Sequence, residues 1–277
     1  MRKFAIGAVV SGALALSVLA VPAASATTPD FAFSKVVVNG GKPIVVGTTN
    51  VVKIPVTYTL TRPSDIVLDN KTKAAGVLLY RGTLAHSLNT IENSELPVCT
   101  TTATTATTVT ESCKETIDLD PWASLYEAAD ATTWHAAGYY GRLDLDEDDS
   151  DGHVSVNYAD DLWGPLASVQ IKRAAKLTVN AGPEPVTKGK TLTVTGSLTR
   201  ANWYSSEYAG YTGQPVALQF KAKGASTYTT VKTVTSGTSG ALKTTVKASA
   251  DGTYRFSFAG TSTTGAKAAT GDYVDVK

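Results

Sequence analysis

Val52, Ile54, Val56, Tyr58 and Leu60 alternate with Lys53, Pro55, Thr57 and Thr59. A period of two predicts a half-buried strand, because successive side chains of an extended chain point to opposite faces. Pro55 has no N–H to give to a ladder, which predicts an edge strand or a bulge there. Phe31 to Val38 and Lys42 to Gly47 read as earlier strands separated by Asn39-Gly40-Gly41, residues that tolerate a positive φ in a tight turn. Val77 to Tyr80 is a further short strand ending at Arg81-Gly82, and Trp134 to Leu145 resumes the strand pattern.

The stretch PLASVQIKRAAKLTVNAGPEPVTKG, Pro165 to Gly189, joins two alternating runs, Ser168 to Lys172 and Lys176 to Asn180. It predicts a seam at which the last strand of one unit leads almost directly into the first strand of another. Beyond it, the runs Leu192 to Val194, Val216 to Phe220, Tyr228 to Val234, Leu242 to Val246, Tyr254 to Phe258 and Tyr273 to Val276 are separated by Gly, Ser, Thr or Asp. Short strands at this spacing are the arithmetic of a β-sandwich. One helix is expected, because Asp120-Pro121 matches an N-cap followed by proline at the first helical position. Trp122, Leu125, Tyr126 and Ala129 follow at helical spacing. The fold class predicted is all-β: two tandem sandwiches, residues 27–174 and 175–277, the first with a short helix.

Composition narrows the compartment. Met1-Arg2-Lys3 is a basic head, Phe4 to Ala20 carries no charge, and Ala24-Ser25-Ala26 places small residues where a signal peptidase cuts. Residues 1–26 therefore read as a secretory signal peptide, and a secreted, extracellular protein with no membrane anchor is expected. Cys99 and Cys113 are the two cysteines. In an exported chain they are expected to form one disulfide, closing a hairpin at the Thr-rich run between them. Those threonines fit either a hydroxyl array for an ordered ligand or glycosylation, or simple strand preference, since β-branched Thr suits extended backbone.

Charge is divided along the chain. Residues 27–174 hold 11 Lys and Arg against 19 Asp and Glu, a net −8, whereas residues 175–277 hold 12 against 5, a net +7. The run LDLDEDDSDGHVSV supplies Asp144, Asp146, Glu147, Asp148, Asp149 and Asp151 as candidate metal ligands, because Ca²⁺ takes six to eight oxygens. Neither possible register completes the EF-hand pattern: one puts Tyr158 where the bidentate Glu belongs, the other puts Asp149 where Gly is needed. The run reads as a weak extracellular Ca²⁺ site or as a solvated, self-repelling loop. Ca²⁺ is the one cofactor candidate, and no other is indicated. RANWYSSEYAGYTG places Trp203, Tyr204, Tyr208 and Tyr211 in one inter-strand loop, where they would stack on sugar rings if exposed or cap the core if folded back. His86, His135 and His153 lie in three separate contexts, and only His135 and His153 could meet, across adjoining strands, to hold a transition metal. No catalytic constellation is present in the pattern, and G-x-S-x-G is absent. A nucleic-acid partner is not expected, because the lysines of the basic half are spread along strands.

Asp251-Gly252-Thr253-Tyr254-Arg255-Phe256 resembles the E–F corner of immunoglobulin-like domains, where a tyrosine hydroxyl bonds back to the turn before its strand. The cysteine pair of antibody domains is missing from this half, and Trp203 precedes the strand it would need to occupy. AKLTVNAGPEPVTKGKTLTVTGSLTRANW, GQPVALQFKAKGASTYTTVKTV and DGTYRFSFAGTSTT resemble the C-terminal module of secreted two-domain proteins common in actinomycetes, and VVVNGGKPIVVG resembles their N-terminal module. The resemblance implies tandem Ig-like sandwiches and export, in a family without an established catalytic activity, some of whose members carry a calcium-binding label. The expectation is a non-enzymatic binding or structural protein whose partner is cell-wall polysaccharide or another secreted protein. The alternative is a cell-wall polysaccharide hydrolase or a carbohydrate-binding module, with carboxylates between Asp144 and Asp161 doing the chemistry in the hydrolase. The charge division adds a third expectation, salt-sensitive head-to-tail self-association.

Overall fold

The computed structural model of the protein describes residues 30–70, 72–92, 95–145 and 154–277. The expected signal peptide, His153 and the candidate ligands Asp146, Glu147, Asp148, Asp149 and Asp151 lie outside them. The described chain is built of strands. Up to residue 173 these are β1 (Ala32–Val38), β2 (Ile44–Val46), β3 (Val52–Pro63), β4 (Lys73–Thr83), β5 (His86–Ile91), β6 (Val98–Thr104), β7 (Thr108–Leu119), β8 (Thr133–Leu145) and β9 (Val154–Arg173), with helix α1 (Pro121–Ser124) between β7 and β8. One sheet has the order β1-β3-β7-β6 and the facing sheet the order β2-β9-β8-β4-β5, in which β2 runs parallel to β9. Ile54, Val56, Tyr58 and Leu60 of β3 and Cys113, Ile117 and Leu119 of β7 meet Trp134, Ala136, Val169 and Ile171 of the facing sheet in one core.

Pro55 departs from the expected edge position, since β3 lies between β1 and β7. The reason is the length of its neighbour: the β1 ladder ends at Val56, so Pro55 sits just beyond it and is paired only with Thr116 of β7. The turn between β1 and β2 is as expected, with positive φ at Asn39, Gly40 and Gly41. Cys99 of β6 and Cys113 of β7 are direct cross-strand partners joined by a disulfide. On the chain-entropy argument such a bridge stabilises the fold by about 3 kcal/mol.

The expected helix is cut short. Asp120 accepts from the Trp122 N–H as the N-cap, but α1 ends at Ser124 and Leu125 is extended. Asp130, fully buried, takes the Tyr126 and Glu127 N–H groups on its Oδ2 at 2.8 and 3.0 Å and so removes the donors that a continuing helix would use. Leu125 is consequently buried, while Trp122 and Tyr126 face outward.

After Ala174 come β10 (Ala175–Leu177), β11 (Asn180–Gly182), β12 (Thr191–Asn202), β13 (Glu207–Gly210), β14 (Pro215–Ala222), β15 (Thr229–Thr235), β16 (Ala241–Lys247), β17 (Gly252–Phe258), β18 (Lys267–Ala268) and β19 (Asp272–Val274). The run expected from Lys176 to Asn180 is split into β10 and β11, both of which pair with β12. β12 also pairs with β16 and β13, and the facing sheet is β15-β14-β17-β18 with β19 beside β17. Leu192, Val194, Leu198, Val216, Leu218, Leu242, Tyr254 and Phe256 form a second core. Ser239 and Gly240 turn the chain between β15 and β16 with positive φ; at Gly240 a Cβ would lie 1.9 Å from the Leu198 carbonyl oxygen, so a side chain there would force β12 away. At the corner resembling an immunoglobulin domain, Tyr254 is buried against Phe220, and the Asp251 carboxylate accepts from the Val276 N–H at 2.9 Å and from Lys223 Nζ at 3.4 Å.

The two cores touch at the end of β12. Ala201 and Trp203 belong to the first core although they lie in the second half of the chain. Ala174 lies at the crossing, donating to the Val46 carbonyl and accepting from the Ala201 N–H, both at 2.8 Å.

Candidate functional site

The end of β9, the end of β12, the end of β13 and the loop after α1 surround a cavity of about 440 Å³ lined by Tyr126, Glu127, Ala128, Arg173, Arg200, Ala201, Asn202, Tyr204, Ala209 and Gly210. The volume is in the range of small-ligand sites. Alternation at the end of β12 explains the wall: Ala201 turns into the first core, while its neighbours Arg200 and Asn202 point to the opposite face, remain half-buried and line the cavity.

Arg173 is buried, 8% exposed, and lies over the Trp203 ring with its guanidinium carbon 5.2 Å from the ring centre. Its Nε–H has no hydrogen-bond acceptor among the described residues. Burial and then the Arg200 charge hold its pKa below the ordinary arginine value, while the Asp130 field works the other way. Arg200 stacks on Tyr211 at 4.0 Å. Burial opposes ionisation of Tyr211, but the nearby hydroxyls of Thr261, Thr264 and Thr263 and the Arg200 charge favour its ionised form and hold its pKa below the ordinary tyrosine value.

The carboxylates nearby are already engaged. Arg81 pairs with Glu127 at 2.6 Å and places its Nε 2.9 Å from Asp130 Oδ1, at an angle that makes the second contact an ion pair without a hydrogen bond. Among the described residues no carboxylate lies within 4.0 Å of the Arg173 or Arg200 guanidinium. Arg81, Arg173 and Arg200 against Glu127 and Asp130 leave the region with one positive charge in excess.

The four aromatic residues singled out from the sequence separate here. Trp203 is 3% exposed, donates its indole N–H to the Gly47 carbonyl at 2.9 Å, and is closed to a ligand by its packing in the first core. Tyr208 is half-buried beneath Lys176 Nζ, 3.8 Å from its ring centre, and Tyr211 is held beneath Arg200. Tyr204 is 88% exposed and stands at the cavity. Tyr126, exposed because α1 stops early, lines the same cavity. Arg173, Arg200 and Glu127 carried little signal in the sequence; the one hint was a cation, Arg173, at the seam between two apolar runs.

Elsewhere, Asp144 lies in β8 opposite Ser155 of β9. His135 Nδ1 is 3.0 Å from Ser168 Oγ and its ring lies 5.5 Å from that of Tyr80; His86 is exposed opposite Thr83. Among the described residues no three His, Cys, Asp or Glu side chains converge as a metal site would require.

No protein-family model and no curated protein matches this chain. Solved structures to which it is similar include the mouse nectin-like molecule 4 ectodomain, Ig1–Ig3, with 13% identity, TM-score 0.22, covering 88% of this chain and 65% of that one. The D00-D0 domain of intimin gives 12% identity, TM-score 0.26, and 88% and 99% coverage. A Mobiluncus mulieris adhesin with disulfide, isopeptide and ester cross-links gives 11% identity, TM-score 0.27, and 83% and 80% coverage. A likeness at this level does not extend to function.

Proposed function

We propose that the protein is a secreted, non-catalytic binding protein of two tandem Ig-like β-sandwich domains, whose ligand-facing surface is the cavity at their junction. One observation carries this reading: Arg173, Arg200, Asn202, Tyr126 and Tyr204 line a single cavity, and its one carboxylate, Glu127, is tied to Arg81. Guanidinium, amide and aromatic groups are the means by which proteins hold a ligand. Glycoside hydrolysis needs instead a pair of free carboxyl groups flanking the bond to be cut. The disulfide fits an oxidising compartment outside the cytosol. Within this proposal the partner is cell-wall polysaccharide, the run from Asp144 to Asp151 is a weak Ca²⁺ site, and opposite charge in the two halves supports head-to-tail contact between copies.

The test is retention of the protein on insoluble polysaccharide followed by analysis of the supernatant. Binding without release of sugar is the expected result. Soluble fragments would transfer the protein to the hydrolases.

A further inference from the structure

Resting on the reading of the junction as a binding surface, we infer that it takes an anionic sugar, with the carboxylate of a uronic acid held by Arg173 and Arg200 and a sugar ring laid on Tyr204. Three features of the cavity specify this ligand.

The first is unspent guanidinium chemistry. Arg173 is more than nine-tenths buried and lines the cavity, and among the described residues no carboxylate lies within 4.0 Å of its guanidinium. Arg200 lines the same wall and repels it. Two arginines that line one cavity and repel each other are relieved by an anion held between them, and the planar fork of arginine fits a carboxylate by paired hydrogen bonds.

The second is the sign and size of the charge. Arg81 forms ion pairs with both Glu127 and Asp130, and with Arg173 and Arg200 counted the region keeps a single positive charge in excess. One carboxylate in the cleft balances it, with the other carboxylates of an oligouronide left in solvent, whereas a phosphate dianion would leave a negative charge in a partly desolvated cleft. The third is the aromatic rim. Tyr204 is 88% exposed and Tyr126 58% exposed, both at the cavity, and an exposed ring offers its face to the apolar side of a sugar. The Asn202 amide, on the same wall, can donate to and accept from sugar hydroxyls.

Isothermal titration of the mature protein with trigalacturonate, maltotriose and glucose 6-phosphate tests the inference. Trigalacturonate is expected to bind, with affinity falling at least about tenfold on Y204A and again on R200Q, and falling as salt is raised. Maltotriose and glucose 6-phosphate are expected to bind at least about tenfold more weakly. Since Arg200 also packs on Tyr211, R200K is the second variant: it keeps the charge and the stem but loses the fork, and is expected to weaken binding at an unchanged melting temperature. Trigalacturonate binding that Y204A, R200Q and R200K leave unchanged would overturn the inference, as would no binding at all. Maltotriose binding as well as trigalacturonate would remove the anionic assignment and leave the binding reading standing, and preference for glucose 6-phosphate would replace carboxylate by phosphate. Release of shorter fragments from trigalacturonate would instead remove the non-catalytic reading.

Discussion

The Trp203 indole N–H donates to the carbonyl of Gly47 at 2.9 Å, across 156 positions of sequence. The ring is buried in the core of the first half, the Arg173 guanidinium covers its face, and the Tyr208 hydroxyl approaches Gly47 closely enough to lie 3.2 Å from where a Cβ would stand. A residue that follows β12 thus completes the packing of strands that precede β10. The cavity is formed at that same junction, so its shape depends on the contact.

Trp203→Ala is expected to destabilise the protein by about 3–5 kcal/mol, as for other large-to-small changes in a core. Hydrogen exchange should show faster opening of amides in residues 30–70 as well as in 191–210. Loss of protection confined to residues beyond 175 would contradict the role given to Trp203.

Glu115 predicts a pH dependence. Its side chain is buried, Oε1 accepts the Val77 N–H at 2.8 Å, and Oε2 has no hydrogen-bond partner among the described residues. Val77 lies on β4 just before its pairing with β5 begins at Leu79, so the carboxyl caps an otherwise open stretch of sheet edge. Burial pushes its pKa up from 4.5 to about 8, against the opposing pull of the Val77 hydrogen bond. The titratable groups beside it are Tyr58 and Tyr139. The folded state therefore holds this proton where the unfolded chain has released it. Stability from this group is fully present below pH 4.5 and is lost as pH rises through about 8. Urea unfolding from about pH 5 to about pH 9 should show a decline on the order of 2–4 kcal/mol that Glu115→Gln abolishes, because the amide still accepts from Val77 and never ionises. A decline of the same size in the variant would assign it to other groups.

Much of the architecture was legible because alternation is a local signal. β3, β8, β12, β14, β16 and β17 stand where the period-two runs lie, and the cysteine pair falls on adjacent strands of one hairpin. Two errors share a cause: Pro55 is central because β1 stops one residue short, and α1 stops because Asp130 captures the N–H groups of Tyr126 and Glu127. Both depend on residues remote in sequence or on the tertiary burial of a carboxylate, which no local pattern encodes. The aromatic loop was visible, but which ring stays exposed is decided by Arg173, Lys176 and Arg200, each of which covers a neighbour and leaves Tyr204 free.

The opposed charges of the two halves predict self-association at low ionic strength. Small-angle scattering should show a mean mass above that of the monomer at about 0.02 M salt, falling to the monomer by about 0.5 M as screening shortens the reach of the field. A mass independent of salt would remove the head-to-tail contact.

Ca²⁺ binding by Asp144, Asp146, Glu147, Asp148, Asp149 and Asp151 is expected at the extracellular grade, with Kd on the order of 10⁻⁴ to 10⁻³ M. Calorimetric titration and a Ca²⁺-dependent rise in melting temperature are the expected signs. No heat and no shift at about 10 mM Ca²⁺, well above that range, would leave the run as a solvated loop.

The most direct test of a ligand-binding junction is an NMR titration of the isotope-labelled mature protein with oligogalacturonate. Shifts confined to Tyr126, Arg173, Arg200, Asn202, Tyr204 and their neighbours are the expected result. Shifts centred elsewhere, on the Thr-rich hairpin or on the acidic run, with these residues unmoved, would contradict it.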